Sequence, residues 1–205
     1  NISGGNNTYD YYKYYTRSGI ILYSNKLKQD GTLETYLILT KSSINGNIYI
    51  SDCGGIRDDF NMEPQKNALK EFIEESTYLE DTNDKLKLTD TEYVSKYNIL
   101  GDKIYILQDK ISNKDYTSMF NVVSYKNIYN YLFYINMDEL KYLKWGNRHI
   151  DLTFEDIQYI DIYDNNLDNE VQNIVIVKQS YIENIKSEFR YLIYDTLTKY
   201  SSLLR

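Results

Sequence analysis

Residues 54–77 read Gly54-Gly55-Ile56-Arg57-Asp58-Asp59-Phe60-Asn61-Met62-Glu63-Pro64-Gln65-Lys66-Asn67-Ala68-Leu69-Lys70-Glu71-Phe72-Ile73-Glu74-Glu75-Ser76-Thr77. The character of the chain changes at Cys53-Gly54-Gly55, and a polar loop is expected as far as Glu63. The only proline, Pro64, falls where a helix tolerates it best, at the first helical position. From Pro64 to Tyr78 the apolar residues recur with helical period. At about 100° per residue, Ala68, Leu69, Phe72, Ile73 and Ser76 share an arc of about 140°, and Glu71, Glu74 and Glu75 occupy a neighbouring arc of about 100°. One face is built for a core and the next gathers three carboxylates.

Three negative charges within one helical turn repel by a few tenths of a kcal/mol per exposed pair, and by more when partly desolvated. Such a face needs a counter-charge. Lys66 and Lys70 offer partial relief, and a hard divalent cation such as Mg²⁺ would offset the repulsion better by taking oxygen ligands. A carboxylate left over from that task could accept a proton from metal-bound water.

Working outward, residues 19–23, 35–40 and 48–51 read as strands, with turns at Lys28-Gln29-Asp30-Gly31 and Ile44-Asn45-Gly46-Asn47. Downstream, 80–91 reads as a charged loop, 97–107 and 128–135 as strands, and 109–121 as irregular. Residues 138–143 read as a short helix or turn, Trp145, Gly146, Arg148 and His149 as a loop, and 154–162 as a turn into a strand. Over 171–204 apolar residues recur near helical spacing, with Ile182, Ile185, Phe189, Leu192, Ile193 and Leu197 on one stripe, so a long C-terminal helix is expected. The order is β-β-β-α-β-β-β-α. With no internal repeat and no Pro/Ser-rich linker, the expected organisation is a tail or extension over 1–17 and a single domain over 18–205.

Composition removes several classes. One cysteine, Cys53, and one histidine, His149, permit no intrachain disulfide, thiolate zinc cluster or two-histidine relay. Metal chemistry would use carboxylate oxygens. Runs such as Gly19-Ile20-Ile21-Leu22 and Val175-Ile176-Val177 fall far short of the roughly 20 residues of a membrane helix. A soluble protein with no membrane partner is the expectation, and the opening Asn-Ile-Ser-Gly-Gly-Asn-Asn reads as a trimmed end or flexible tail and not as an address. The formal net charge of -7 disfavours non-specific nucleic-acid binding, and no DNA-specific binding is expected. Tyrosine is frequent at 24 residues, so the Tyr9-Asp10-Tyr11-Tyr12-Lys13-Tyr14-Tyr15 cluster is read first as packing and second as a stacking platform. Cys53 reads as a small buried residue and not a nucleophile.

The central segment resembles the Nudix box, whose pattern is Gly, five residues, Glu, seven residues, then Arg-Glu-apolar-x-Glu-Glu-x-Gly-apolar. Lys70-Glu71-Phe72-Ile73-Glu74-Glu75-Ser76-Thr77-Tyr78 matches the second half, with Lys70 in place of arginine and Thr77 in place of glycine. In the first half Gly55 is present and the loop is one residue longer. The first glutamate falls on Asn61 counted from the glycine or on Met62 counted back from the helix, with Glu63 beside it; Glu63 either substitutes or the position is lost. Arg17-Ser18-Gly19-Ile20-Ile21 and a Leu-Ile-Leu strand look like the opening of the same fold.

The resemblance implies a Nudix-type α/β/α sandwich with a mixed β-sheet, and hydrolysis of a diphosphate linkage in a nucleotide-containing substrate with Mg²⁺ or Mn²⁺. It makes Glu71, Glu74 and Glu75 metal ligands with the Gly55 carbonyl, Glu71 or Glu74 a general base, and Lys70 a side chain that orients a glutamate. Glu155 is placed where many such enzymes supply an extra carboxylate. Lys70, Arg57, Trp145 and Tyr14 are the expected substrate-binding side chains, the two aromatics by stacking on a base. The Tyr/Ile/Asn/Lys bias and divergent box are similar to Nudix mRNA-decapping enzymes of large DNA viruses, which implies capped RNA as substrate and a host-cytoplasmic location. Small-molecule hydrolysis of a nucleoside triphosphate, dinucleoside polyphosphate or diphosphoinositol is the alternative, and an inactive binding module is the third.

Overall fold

The computed structural model describes residues 15–57, 61–76, 103–136, 144–145, 148–149, 156–161 and 171–204, with the backbone alone at 73, 74, 76, 103–106, 108, 144, 145, 148, 149 and 161. Strand β1 (Arg17–Leu27) carries Ile20-Ile21-Leu22, all buried, with Ile20 and Leu22 facing one core and Ile21 the other. Burial on both faces follows from the period of two along a strand and makes β1 central. It pairs in parallel with β6 (Lys126–Tyr134) and antiparallel with β2 (Leu33–Ile44), so the sheet is mixed. Outward lie β5 (Thr117–Val123) beside β6, and β10 (Val171–Lys178) then β9 (Ile157–Asp161) beside β2.

The β1–β2 ladder forks. Beyond the pair Leu22↔Ile38, β2 takes β3 (Asn47–Ser51) as partner and β1 takes β4 (Cys53–Ile56), with Thr40↔Ser51 and Ile20↔Cys53 flanking the split. Asp52 stands at the fork between β3 and β4. The β2–β3 turn uses Asn45 (φ 50°) and Gly46 (φ 81°), the two left-handed residues a type I′ hairpin requires.

Helix α1 (Pro64–Ser76) starts at the proline and packs Ala68 and Phe72 on one sheet face, joined there by Leu107 of α2 (Lys103–Ser112). The opposite face is covered by a 3-10 segment, Gln179–Glu188, and by α3 (Tyr191–Lys199). The molecule is thus an α/β sandwich with a mixed sheet. Among the described residues no helix is long and apolar enough to cross a membrane.

Five expectations are corrected. The C-terminal region is not one long helix: Val171–Lys178 is a strand between β2 and β9, and non-helical Ile185 (φ -118°, ψ 23°) interrupts the 3-10 segment before α3. Its expected stripe is nonetheless buried in full. The described end of 97–107 is helical, and 109–121 holds the end of α2 and most of β5, whose Met119 and Asn121 point inward on alternate positions. Cys53–Ile56 is strand where a loop was expected, because it pairs with β1. Lys144–Trp145 (β7) and Arg148–His149 (β8) form a short antiparallel ladder, not a loop.

Phe72 is 1% exposed at the centre of the α1 face. Phe72→Ala is expected to cost about 3–5 kcal/mol, read as a fall in urea midpoint at unchanged slope.

Candidate active site where strand β4 meets helix α1

Strand β4 has two faces, and its glycines serve both. Gly54 pairs with Gly19 across the ladder. A Cβ on Gly19 would lie 2.0 Å from Asp52 Oδ2, and one on Gly54 would lie 2.7 Å from the same oxygen. Both glycines therefore leave the volume that the Asp52 carboxylate fills.

That carboxylate is 2% exposed and fully engaged. Arg17 grips it in bidentate fashion, Nη1 to Oδ2 at 2.8 Å and Nη2 to Oδ1 at 2.7 Å, while Ser51 Oγ donates at 3.0 Å and Asn130 Nδ2 donates to Oδ2. Nη2 of Arg17 also donates to the Gly54 carbonyl at 3.0 Å. Burial on its own pushes the Asp52 carboxyl up, and the attached Arg17 guanidinium outweighs it, leaving the group below the usual carboxylate value.

On the other face, Gly55 abuts the helix. A Cβ there would lie 2.2 Å from Glu71 Oε2, so only glycine lets the strand approach this carboxylate. Asn67, fully buried one helical turn earlier, donates from Nδ2 to Ser18 Oγ at 2.9 Å and to the Gly55 carbonyl at 3.3 Å. Lys70 Nζ lies 3.5 Å from Glu71 Oε1. Cys53, two residues before Gly55 and hence on its side of β4, hydrogen-bonds Glu75; burial first, then the negative charges of Glu75 and Asp52, push its thiol well above the usual value. It is a buried donor, in keeping with its reading from the sequence as a small buried residue.

The remaining expected residues divide. Arg57 is half-buried with its guanidinium 5.1 Å from the centre of the Tyr15 ring, and the Tyr15 hydroxyl donates to the Met62 carbonyl at 2.8 Å, tying the loop before α1 to the start of β1. Glu63 precedes Pro64 and accepts from Gln65 at 2.8 Å. It stands eight residues ahead of Glu71, a rise of about 12 Å at helical spacing. Glu74 lies on α1 and Trp145 on the short ladder, their side chains outside the described residues; Tyr14 and Glu155 lie outside them altogether. The sequence reading missed Asp52, Asn67 and Asn130. Asp52 left a signal: a charge inside an apolar strand region, followed by two glycines, calls for a buried partner.

Among the described side chains no three of His, Cys, Asp or Glu gather closely enough to hold a metal. Glu71 lies against Gly55, and Glu75 bonds Cys53 two residues earlier on the same strand; carboxylates of this kind suit Mg²⁺ or Mn²⁺, since a magnesium site commonly uses one or two carboxylates with waters and substrate phosphates. The cradle left by the missing Gly55 side chain is filled by the Glu71 carboxylate itself, which sets that oxygen beside the strand backbone.

No known protein family matches the chain, and no curated protein matches it. Among solved structures, a binary complex of a C. elegans Ap4A hydrolase is similar at a TM-score of 0.40 and 14% identity, over 92% of this chain and 96% of that one. A second structure of C. elegans Ap4A hydrolase is similar at 0.40 and 13%, over 94% and 99%.

Asp52 has a folded-state pKa below its unfolded value, so its contribution is present above the unfolded pKa and lost as pH falls through the folded one. Asp52→Asn is expected to destabilise by about 3–5 kcal/mol at pH 7, with the gap to wild type closing only below about pH 4. Urea melts from pH 7 to pH 2.5 test this: the gap is expected to narrow by up to about 2 kcal/mol over the acid end, and a gap that stays constant from pH 7 to pH 2.5 contradicts it.

Proposed function

We propose that this protein is a Nudix-type hydrolase that cleaves a diphosphate linkage in a nucleotide-containing substrate with Mg²⁺ or Mn²⁺. The observation that carries the reading is the seat of Gly55 against Glu71: the glycine and the first helix glutamate of the box meet in space, with Asn67 donating to the Gly55 carbonyl and Glu75 bonded to Cys53 on the same strand. Acidic helices are common, but one whose carboxylate occupies the missing side chain of a strand glycine is a built arrangement. In this reading Glu71, Glu74 and Glu75 hold the cation with the Gly55 carbonyl. The cation, when bound, activates water and neutralises phosphate charge. Glu71 or Glu74, or Glu155 from its own segment, takes the proton. Lys70 and Arg57 face the substrate's phosphates, and Trp145 or Tyr14 stacks on its base.

For the substrate we infer the capped 5′ end of mRNA, from the resemblance to viral decapping enzymes. The net charge of -7 favours a second reading, a free nucleotide such as a nucleoside triphosphate or dinucleoside polyphosphate. Cap-labelled RNA and a nucleotide panel, each with Mg²⁺, Mn²⁺ or EDTA, separate the two. The expected result is metal-dependent release of a nucleoside diphosphate, faster when an RNA body is attached, and lowered by about 100-fold or more in Glu74→Gln. Equal turnover of free cap analogue favours the small-nucleotide reading. Metal-independent ligand binding without turnover, indifferent to Glu74→Gln, makes the protein a binding module.

A further inference from the structure

We infer that Arg17, on the first strand, is the positioning cation for the acidic face of α1, a task the box pattern would give to the residue at Lys70. The inference rests on the Nudix-type reading above and names the residue that sets its carboxylates.

The geometry runs through β4. Arg17 is 4% exposed and held in one orientation by its two bonds to Asp52. Its third bond, to the Gly54 carbonyl at 3.0 Å, clamps the peptide that leads directly into Gly55. Gly55 abuts the Glu71 carboxylate, and Cys53 at the start of the same strand bonds Glu75. Three consecutive residues of β4 thus connect one buried guanidinium to both helix carboxylates. Burial on its own weakens the guanidinium's hold on its proton, and the attached Asp52, with smaller contributions from the charges of Glu75 and Glu71, outweighs it. Arg17 therefore acts, through Asp52 and Gly54, as the mechanical anchor of the strand against which the helix carboxylates lie.

Lys70 is the weaker candidate. Its ammonium is a point charge on a flexible stem, next to Glu71 on the same helix, and lacks the planar fork by which a guanidinium grips two oxygens at once. The arginine absent from the helix is supplied from the sheet.

The test is Mn²⁺ affinity, measured by electron paramagnetic resonance on wild type, Arg17→Lys and Lys70→Met, with circular dichroism to confirm folding and steady-state kinetics alongside. Arg17→Lys keeps the charge and loses the bidentate fork; it is expected to weaken Mn²⁺ binding by about tenfold or more and to lower kcat with little change in KM. Lys70→Met is expected to weaken Mn²⁺ binding by less than about fivefold, the ceiling for a partly exposed ion pair. A folded Arg17→Lys with wild-type Mn²⁺ affinity overturns the inference and leaves the Nudix-type reading standing. Should Arg17→Lys not fold, Lys70→Met decides: a loss below about fivefold supports the role of Arg17, and a larger one transfers it to Lys70. Wild-type protein that binds no Mn²⁺ overturns the Nudix-type reading and this inference with it.

Discussion

The buried ion pair between Arg17 and Asp52 governs the arrangement of this molecule. Two strands that pair at Leu22↔Ile38 must separate to admit the β3–β4 segment, and a residue has to stand at the fork. Placing a carboxylate there is costly unless it is neutralised and its lone pairs are met. Arg17, Ser51 and Asn130 meet them from three different strands or strand ends, so the pair locks β1, β3 and β6 in one register. The specificity comes from geometry and not from raw stability, since a well-packed apolar replacement of such a pair is often at least as stable.

From that lock the glycines acquire separate reasons. Gly19 and Gly54 are small because the Asp52 carboxylate lies against both, and Gly55 is small because Glu71 lies against it from the other side. A glycine pair before a helix is usually read as a phosphate cradle. Here the pair is better described as a thin partition, with a neutralised buried charge on one side and an acidic helix on the other. Thinness has a geometric consequence, because a strand that carries no side chain at Gly54 or Gly55 lets the Asp52 carboxylate lie against one face and the Glu71 carboxylate against the other.

How much of this the sequence discloses depends on which periodicity a segment must obey. The start of α1 at Pro64 and its Ala68/Phe72 face were legible because one-sided burial writes a clean helical repeat. The strand Val171–Lys178 was not, since a strand buried on both faces loses its alternation, and Val171, Ile174 and Val175 happen to fall at helical intervals. Ile104 to Leu107 is an unbroken apolar run that suits either structure, and length alone could not decide it. In the candidate site, Glu71, Glu75 and Gly55 were singled out by motif spacing, whereas Asp52 and Asn130 lie 78 residues apart and share no local pattern. Their pairing is a property of the fold.

In the proposed function the Gly55–Glu71 contact is the seat of a catalytic divalent cation. Anomalous scattering at the manganese edge from crystals soaked in Mn²⁺ tests this. The expected result is a peak coordinated by Glu71 and the Gly55 carbonyl. A peak elsewhere on the surface, with Glu71 still lying against Gly55 and no metal there, would contradict it.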